Sequence, residues 1–136
     1  MIINTSAAKV WQELTDFGAY PQWNPFIREV SGVAGQGKRL TVQMRAGDRI
    51  MTFRPTILAI QPERELRWLG HLLIPGIFDG EHSFVIEPLG EDRVRLIQKE
   101  IFNGLLVPFS SSLLDDTERS FNMMNLALNE RIEQVN

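Results

Sequence analysis

SLLDDTERSFNMMNLALNERIEQV, residues 112–135, is the stretch whose reading decides the fold. Leu114, Thr117, Phe121, Met124, Leu128, Ile132 and Val135 recur at three- and four-residue spacing, the period of one helix face. The segment contains no Gly and no Pro, so nothing interrupts a helix. Ser112 followed by Asp115 has the form of a capping box with Asp in place of Glu. A single long helix with one apolar face needs a partner surface, and the residues before it supply strands.

From Phe26 onward the apolar period is two. Leu40, Val42, Met44 and Ala46 fall on one side of a segment running from Lys38 to Ala46. Met51, Phe53, Pro55, Ile57 and Ala59 form the next row, with Pro55 marking an edge or a bulge. Leu66, Trp68 and Gly70 follow; then Phe78, Gly80, His82, Phe84 and Ile86; then Val94, Leu96, Gln98, Glu100 and Phe102. Gly47-Asp48, Gln61 to Arg64 and Gly90 to Asp92 are the turns between them. About six consecutive strands joined by short turns predict an antiparallel meander. Strands in series followed by one long helix predict an α+β fold, with a sheet curled around the helix and a cavity between them.

The N-terminal residues Met1 to Asn4 suffice for a short strand. Ser6 offers an N-cap for a helix from about Ala7 to Thr15, whose Val10, Trp11 and Leu14 share a face. Tyr20-Pro21-Gln22-Trp23-Asn24-Pro25 predicts a second short helix or tight turn.

Composition bounds the function. At 136 residues the whole chain, 1–136, is expected to be one domain with a substantial core. The formal charge of −3 gives no basic face for nucleic acid. There is no cysteine, which excludes disulfides and thiolate chemistry, and two histidines, His71 and His82, are too few for a His-rich metal site. No cofactor and no metal are expected. No apolar run approaches the ~18 residues of a membrane span, and no signal peptide is visible, so a soluble cytoplasmic protein is expected.

Val10-Trp11-Gln12-Glu13-Leu14-Thr15-Asp16-Phe17 and Tyr20-Pro21-Gln22-Trp23-Asn24-Pro25-Phe26 resemble the opening motif of the START-like superfamily (SRPBCC), in its bacterial polyketide cyclase/dehydrase-type branch. Trp68-Leu69-Gly70, Phe78 to Phe84 and Asn125-Leu126-Ala127-Leu128 extend the similarity along nearly the whole chain. The resemblance implies a helix-grip fold: a curved antiparallel sheet of six to seven strands around a long C-terminal helix, with two short helices after the first strand. Family members carry a longer first strand, so here a stub, or a late start of the chain, is expected. The resemblance also implies a pocket for apolar or aromatic small molecules, lipid- or polyketide-like, between sheet and helix. Some members are cyclases or hydrolases and many are carriers, so family likeness by itself implies a pocket and no particular reaction.

The inward rows nominate the ligand-binding set: Met44, Phe53, Trp68, His82, Phe84, Gln98, Glu100, Phe121, Met124 and Leu128. Aromatic and methionine side chains suit an adaptable apolar pocket, though most such residues are simply core. His82, in phase with Phe84 and Ile86, is a candidate acid/base or hydrogen-bond anchor; the plain alternative is a structural histidine. Glu100 among apolar neighbours would have a raised pKa and serve as a base; alternatively it is solvated at the open end, or paired with His82 or Arg45. Trp11 and Trp23 are read as closing one end of the sheet. Two apolar loops, Leu72 to Ile77 with Ile74 and Pro75, and Gly104 to Phe109 with Leu106 and Pro108, are read as forming the cavity mouth, either as a lid or packed on each other. Met123 and Leu126 on the outer flank of the helix suit a homodimer.

Three functions follow: a carrier or sensor binding a hydrophobic small molecule; a cyclase, dehydratase or hydrolase using His82 and Glu100; and an interaction module. A roomy dry cavity favours the first, and a His–carboxylate pair within reach of the pocket favours the second.

Overall fold

The computed structural model describes residues 1–71 and 74–135, without the side chains of Ala46, Phe109 and Val135. Leu72 and Leu73 of the first apolar loop, and the places of Ala46 and Val135 in their apolar rows, therefore lie outside the described residues.

The chain runs β1 (Ile2–Ile3), α1 (Ala7–Thr15), a 3-10 turn (Phe17–Ala19), α2 (Tyr20–Trp23), β2 (Ile27–Ser31), β3 (Thr41–Ala46), β4 (Arg49–Phe53), β5 (Thr56–Gln61), β6 (Glu65–His71), β7 (Asp79–Gly90), β8 (Arg93–Asn103), a second 3-10 turn (Val107–Phe109) and α3 (Ser111–Val135). This is the expected mixed α+β arrangement, an antiparallel sheet with a long C-terminal helix and short helices after the first strand. Five strands pair in the order β1-β8-β7-β6-β5 and three in the order β2-β3-β4. Backbone bonds from Leu40 N to Pro55 O (2.9 Å) and from Ile57 N to Lys38 O (2.9 Å) stitch the approach to β3 onto β5 and join the two groups.

Among the described residues eight strands stand where six to seven were expected. The row from Met51 to Ala59 divides at Arg54–Pro55, because proline has no amide to give the ladder. Its side chains nevertheless stay on one face, with Pro55, Ile57 and Ala59 buried and Met51 and Phe53 half-buried.

Ser6 caps α1 as expected: its hydroxyl accepts from the Lys9 amide at 3.2 Å. The capping box at the start of α3 does not form. That helix begins at Ser111, and Ser112 instead accepts from Arg49 Nη2 at 3.3 Å. Arg49 also holds Asp116 at 3.3 Å, so the β3–β4 hairpin ties down the first turns of α3. The buried face of α3 is Thr117, Ser120, Met124, Leu128 and Ile132, with Phe121 half-buried beside them. Met123 and Leu126 are more than half exposed on the opposite flank.

The core packs Trp68, Phe84, Ile86 and Leu96 from the sheet against α3, with Tyr20 and Phe26 closing one side. Trp11 and Trp23 lie half-buried at its edge. Burial of each large side chain contributes roughly 1.5–3 kcal/mol. Among the described residues, no helix is long and apolar enough to cross a membrane.

Candidate functional site

Gly70 on β6 stands opposite Gly80 on β7, and Gly80 stands opposite Phe102 on β8. Along all three strands the inward residues toward the other end are bulky: Trp68 and Leu66, His82 and Phe84, Glu100 and Gln98. Two adjacent glycines therefore open a hollow at one end of the inner face, and neighbouring side chains fold over it. A Cβ on Gly70 would stand 2.9 Å from the Phe53 ring, and one on Gly80 2.8 Å from Glu100 Oε1. A side chain at Gly70 would push the Phe53 ring aside, and one at Gly80 would turn the end of Glu100 away.

The hollow is a cleft of about 50 Å³. The sheet side is Met44, Met51 and Phe53 with Gly70, Gly80, Glu100 and Phe102. Phe26, Phe78 and, from the first two turns of α3, Leu113 and Thr117 complete it. Phe78 and Phe102 flank one another with ring centroids 5.4 Å apart.

Of the residues nominated by phase, Met44, Phe53 and Glu100 border this cleft. Trp68, His82, Phe84, Gln98, Phe121, Met124 and Leu128 lie deeper, beyond the glycine pair, where large side chains fill the space between sheet and helix. The nomination followed strand phase, which tells the inner face from the outer and says nothing about position along the strand. Phe78 and Phe102 end the same two inward rows and were legible in that sense. Phe26 was not: it turns inward because the buried Asn24 side chain accepts from the amides of Phe26 and Ile27, both at 2.9 Å.

Ile74, Pro75, Leu106 and Pro108 are exposed on the two loops, and none of them borders the cleft. The loops bond each other through backbone, Leu105 N to Gly76 O at 3.2 Å and Leu106 N to Ile77 O at 3.0 Å. Gly104 makes this approach possible: a Cβ there would meet Ile77 O at 2.3 Å, and its φ of +127° favours glycine. Asp79 secures the base of the first loop by accepting from Gly76 N at 3.0 Å and facing His71 Nδ1 at 2.7 Å. The His71 hydrogen bond holds the Asp79 carboxyl below its ordinary pKa.

His82 is fully buried. Its ring lies 4.6 Å from that of Phe84, 4.9 Å from Phe121 and 5.4 Å from Trp68, centroid to centroid. Its Nε2 is 2.9 Å from Gln98 Oε1, while Gln98 Nε2 donates to Asn125 Oδ1 at 2.9 Å. With the amide in that orientation, Nε2 carries the proton and Nδ1 a lone pair. Among the described residues Nδ1 has no hydrogen-bond partner, and Glu100 Oε1 stands 3.8 Å away. Burial pushes the imidazole down to about 3, against the opposing effect of Gln98, and pushes the Glu100 carboxyl up to about 8. At neutral pH both groups are uncharged, so the pair is not an ion pair. Arg45 lies exposed on the outer side of β3 and is not Glu100's partner.

Comparison with known proteins places this architecture. The family model described as "Polyketide cyclase / dehydrase and lipid transport" matches residues 1–119. The Zhui aromatase/cyclase from Streptomyces sp. R1128 superposes with a TM-score of 0.80 at 17% identity, over 98% of this chain and 90% of that one. A START superfamily protein from Mycobacterium smegmatis superposes with a TM-score of 0.68 at 22% identity, over 100% of this chain and 95% of that one. At these identities the likeness is one of fold. No curated protein matches the chain.

Proposed function

The chain belongs to the polyketide cyclase/dehydrase and lipid transport family, and on that premise we propose that its residues 1–136 act as one ligand-binding domain that carries or senses a hydrophobic or aromatic small molecule. The family and its fold support a hydrophobic ligand-binding or cyclase role. The observation that carries the binding reading is the cleft itself, whose lining is aromatic, methionine, leucine and glycine except for Thr117 and Glu100.

The cleft's 50 Å³ is small beside the ~150 Å³ of an apolar cavity that accepts benzene. A ring-sized ligand therefore requires the lining to part. The adaptable side chains in that lining are Met44, Met51 and Leu113.

A second reading, a cyclase-, dehydratase- or hydrolase-type enzyme, is favoured by one observation: a carboxyl with its pKa raised to about 8 borders the cleft, beside an imidazole lone pair. In that reading Glu100 exchanges a proton with substrate and His82 positions it.

Native mass spectrometry of protein purified from its own host tests the first reading. A copurified apolar molecule, displaced on mutation of the cleft, is expected. Protein that remains ligand-free there and binds no member of an apolar library overturns it. Turnover of such a library member, lost in Glu100→Gln with binding retained, would decide for the enzyme.

A further inference from the structure

Building on the ligand-binding reading, we propose that the cleft selects uncharged ligands carrying a hydrogen-bond acceptor oxygen, such as a ketone or ester carbonyl on an apolar body, and that Glu100 is the residue that recognises this oxygen.

Two lining side chains carry oxygen, Thr117 and Glu100. The Thr117 hydroxyl donates to Leu113 O at 2.8 Å, within its own helix, so its proton is used. Glu100 makes no hydrogen bond to any described residue, and its side chain is only 10% exposed. Gly80 leaves the space into which its carboxyl projects, since any side chain there would displace Oε1. Glu100 is thus a polar group delivered to an apolar cleft and left without a partner, which is an arrangement that a ligand completes.

Charge decides what kind of ligand. No Lys, Arg or His is among the lining residues, so a carboxylate or phosphate would enter without a counter-charge and beside an acidic group. The elements around Glu100 present Met44 from β3, Met51 and Phe53 from β4, Gly70 from β6, and Leu113 and Thr117 from α3, none of them titratable. From β7 the titratable group that faces it is His82, with Nδ1 at 3.8 Å. A buried neutral imidazole stabilises no carboxylate there, and the carboxyl is held in its protonated form up to about pH 8. The acid O–H is then the cleft's one free donor among the described side chains. It suits an acceptor oxygen, and its ionisation at higher pH removes that donor.

Four single-ring probes of similar size separate these outcomes: acetophenone (neutral acceptor), ethylbenzene (no oxygen), benzoate (anion) and 1-phenylethylamine (cation), each titrated by protein-observed NMR at pH 6.5 and pH 9.5. Wild type is expected to bind acetophenone roughly 3- to 10-fold more tightly than ethylbenzene at pH 6.5, as one hydrogen bond allows, and to lose that preference at pH 9.5. Benzoate should be the weakest. Glu100→Gln, whose amide still donates, should keep the preference at both pH values. Glu100→Leu should bind ethylbenzene at least as well as acetophenone. Should either variant fail to fold, the wild-type series at two pH values stands by itself. At pH 6.5, equal binding of acetophenone and ethylbenzene by wild type, or tightest binding of benzoate or the amine, overturns the inference and leaves the ligand-binding reading in place. Binding of none of the four overturns both.

Discussion

Glu100 Oε1 and His82 Nδ1 stand 3.8 Å apart on paired strands, and neither carries charge at neutral pH. Sequence phase alone suggests an ion pair there. Burial reverses this, because taking both groups out of water disfavours the charged form of each more than their attraction restores it. The result is two neutral groups, one offering a proton and one a lone pair, at the inner edge of an apolar cleft.

That neutrality predicts a stability profile with two limbs. The folded imidazole protonates at about 3 and the unfolded one at 6.5. Below pH 6.5 the unfolded state therefore binds the extra proton, and stability falls as pH drops toward 3. The folded carboxyl ionises at about 8 and the unfolded one at 4.5. Between these values the folded state holds the extra proton, and stability falls as pH rises toward 8. The two slopes oppose one another between pH 4.5 and 6.5, so a plateau is expected there, with stability falling on either side. Denaturant melts from pH 3 to 9 measure this. Glu100→Gln should abolish the alkaline limb and keep the acid one. A profile that rises steadily from pH 6.5 to 8 in wild type would refute the assignment of a neutral Glu100.

His82→Phe tests the Gln98 bond. The phenyl ring fits among Phe84, Phe121 and Trp68 but leaves Gln98 Oε1 without its donor, at a cost of about 1–3 kcal/mol. Adding Gln98→Leu should recover part of that loss, because the unpaired group is then gone. Strict additivity of the two substitutions in urea melts would show that the imidazole and the amide do not interact.

Phe121→Ala is expected to destabilise the protein by about 3 kcal/mol. Its ring meets Phe26 at 5.4 Å and His82 at 4.9 Å, behind the cleft rather than in it. A cavity there adds to the lost transfer free energy. A measured loss below ~1 kcal/mol would mean that the neighbouring rings collapse into the gap.

Gly104→Ala should lower stability by about 2–4 kcal/mol, combining a backbone angle unsuited to alanine with a clash against Ile77 O. The bonds from Leu105 and Leu106 to the other loop should open with it. Hydrogen exchange at these two amides is the measurement, and protection equal to wild type would show that the loops are not held together in this way.

Asp79→Asn should weaken the anchor of the first loop. Asparagine still accepts from Gly76 N but gives up the charge that favours His71, so the Gly76 amide should exchange faster. In wild type the same loosening should appear on acidification, as a carboxyl with a lowered pKa loses its stabilising effect when pH falls through that value. Exchange at Gly76 that is independent of both would dissociate Asp79 from loop order.

Periodicity by itself determined the buried face of α3 and of the alternating strands. The spacing of Thr117, Met124, Leu128 and Ile132 marked the inner stripe of α3, and alternation placed Leu66, Trp68, His82, Phe84, Leu96 and Glu100 on the inner side of the sheet. These patterns are local, set by 3.6 residues per helical turn and two per strand repeat, so they can be read without knowing what packs against them. Ser6 was legible for the same reason, since a cap bonds three residues away. Ser112 and Asp115 carried a similar local signal, but the β3–β4 hairpin brought Arg49 to Ser112 and the helix began at Ser111, ahead of that cap.

The position of the cleft was decided only by tertiary structure. Gly70 and Gly80 are ten residues apart in sequence, and nothing local says that they face each other across two strands. That register leaves a hollow at one end of the inner face and fills the other with Trp68, Phe84 and Met124. The ionisation of Glu100 was likewise undetermined by its sequence neighbours. It depends on how much water β7, β8 and α3 together exclude from one carboxyl, and on whether His82 reaches it or is taken by Gln98. Those are distances between segments remote in the chain, and only the folded protein sets them.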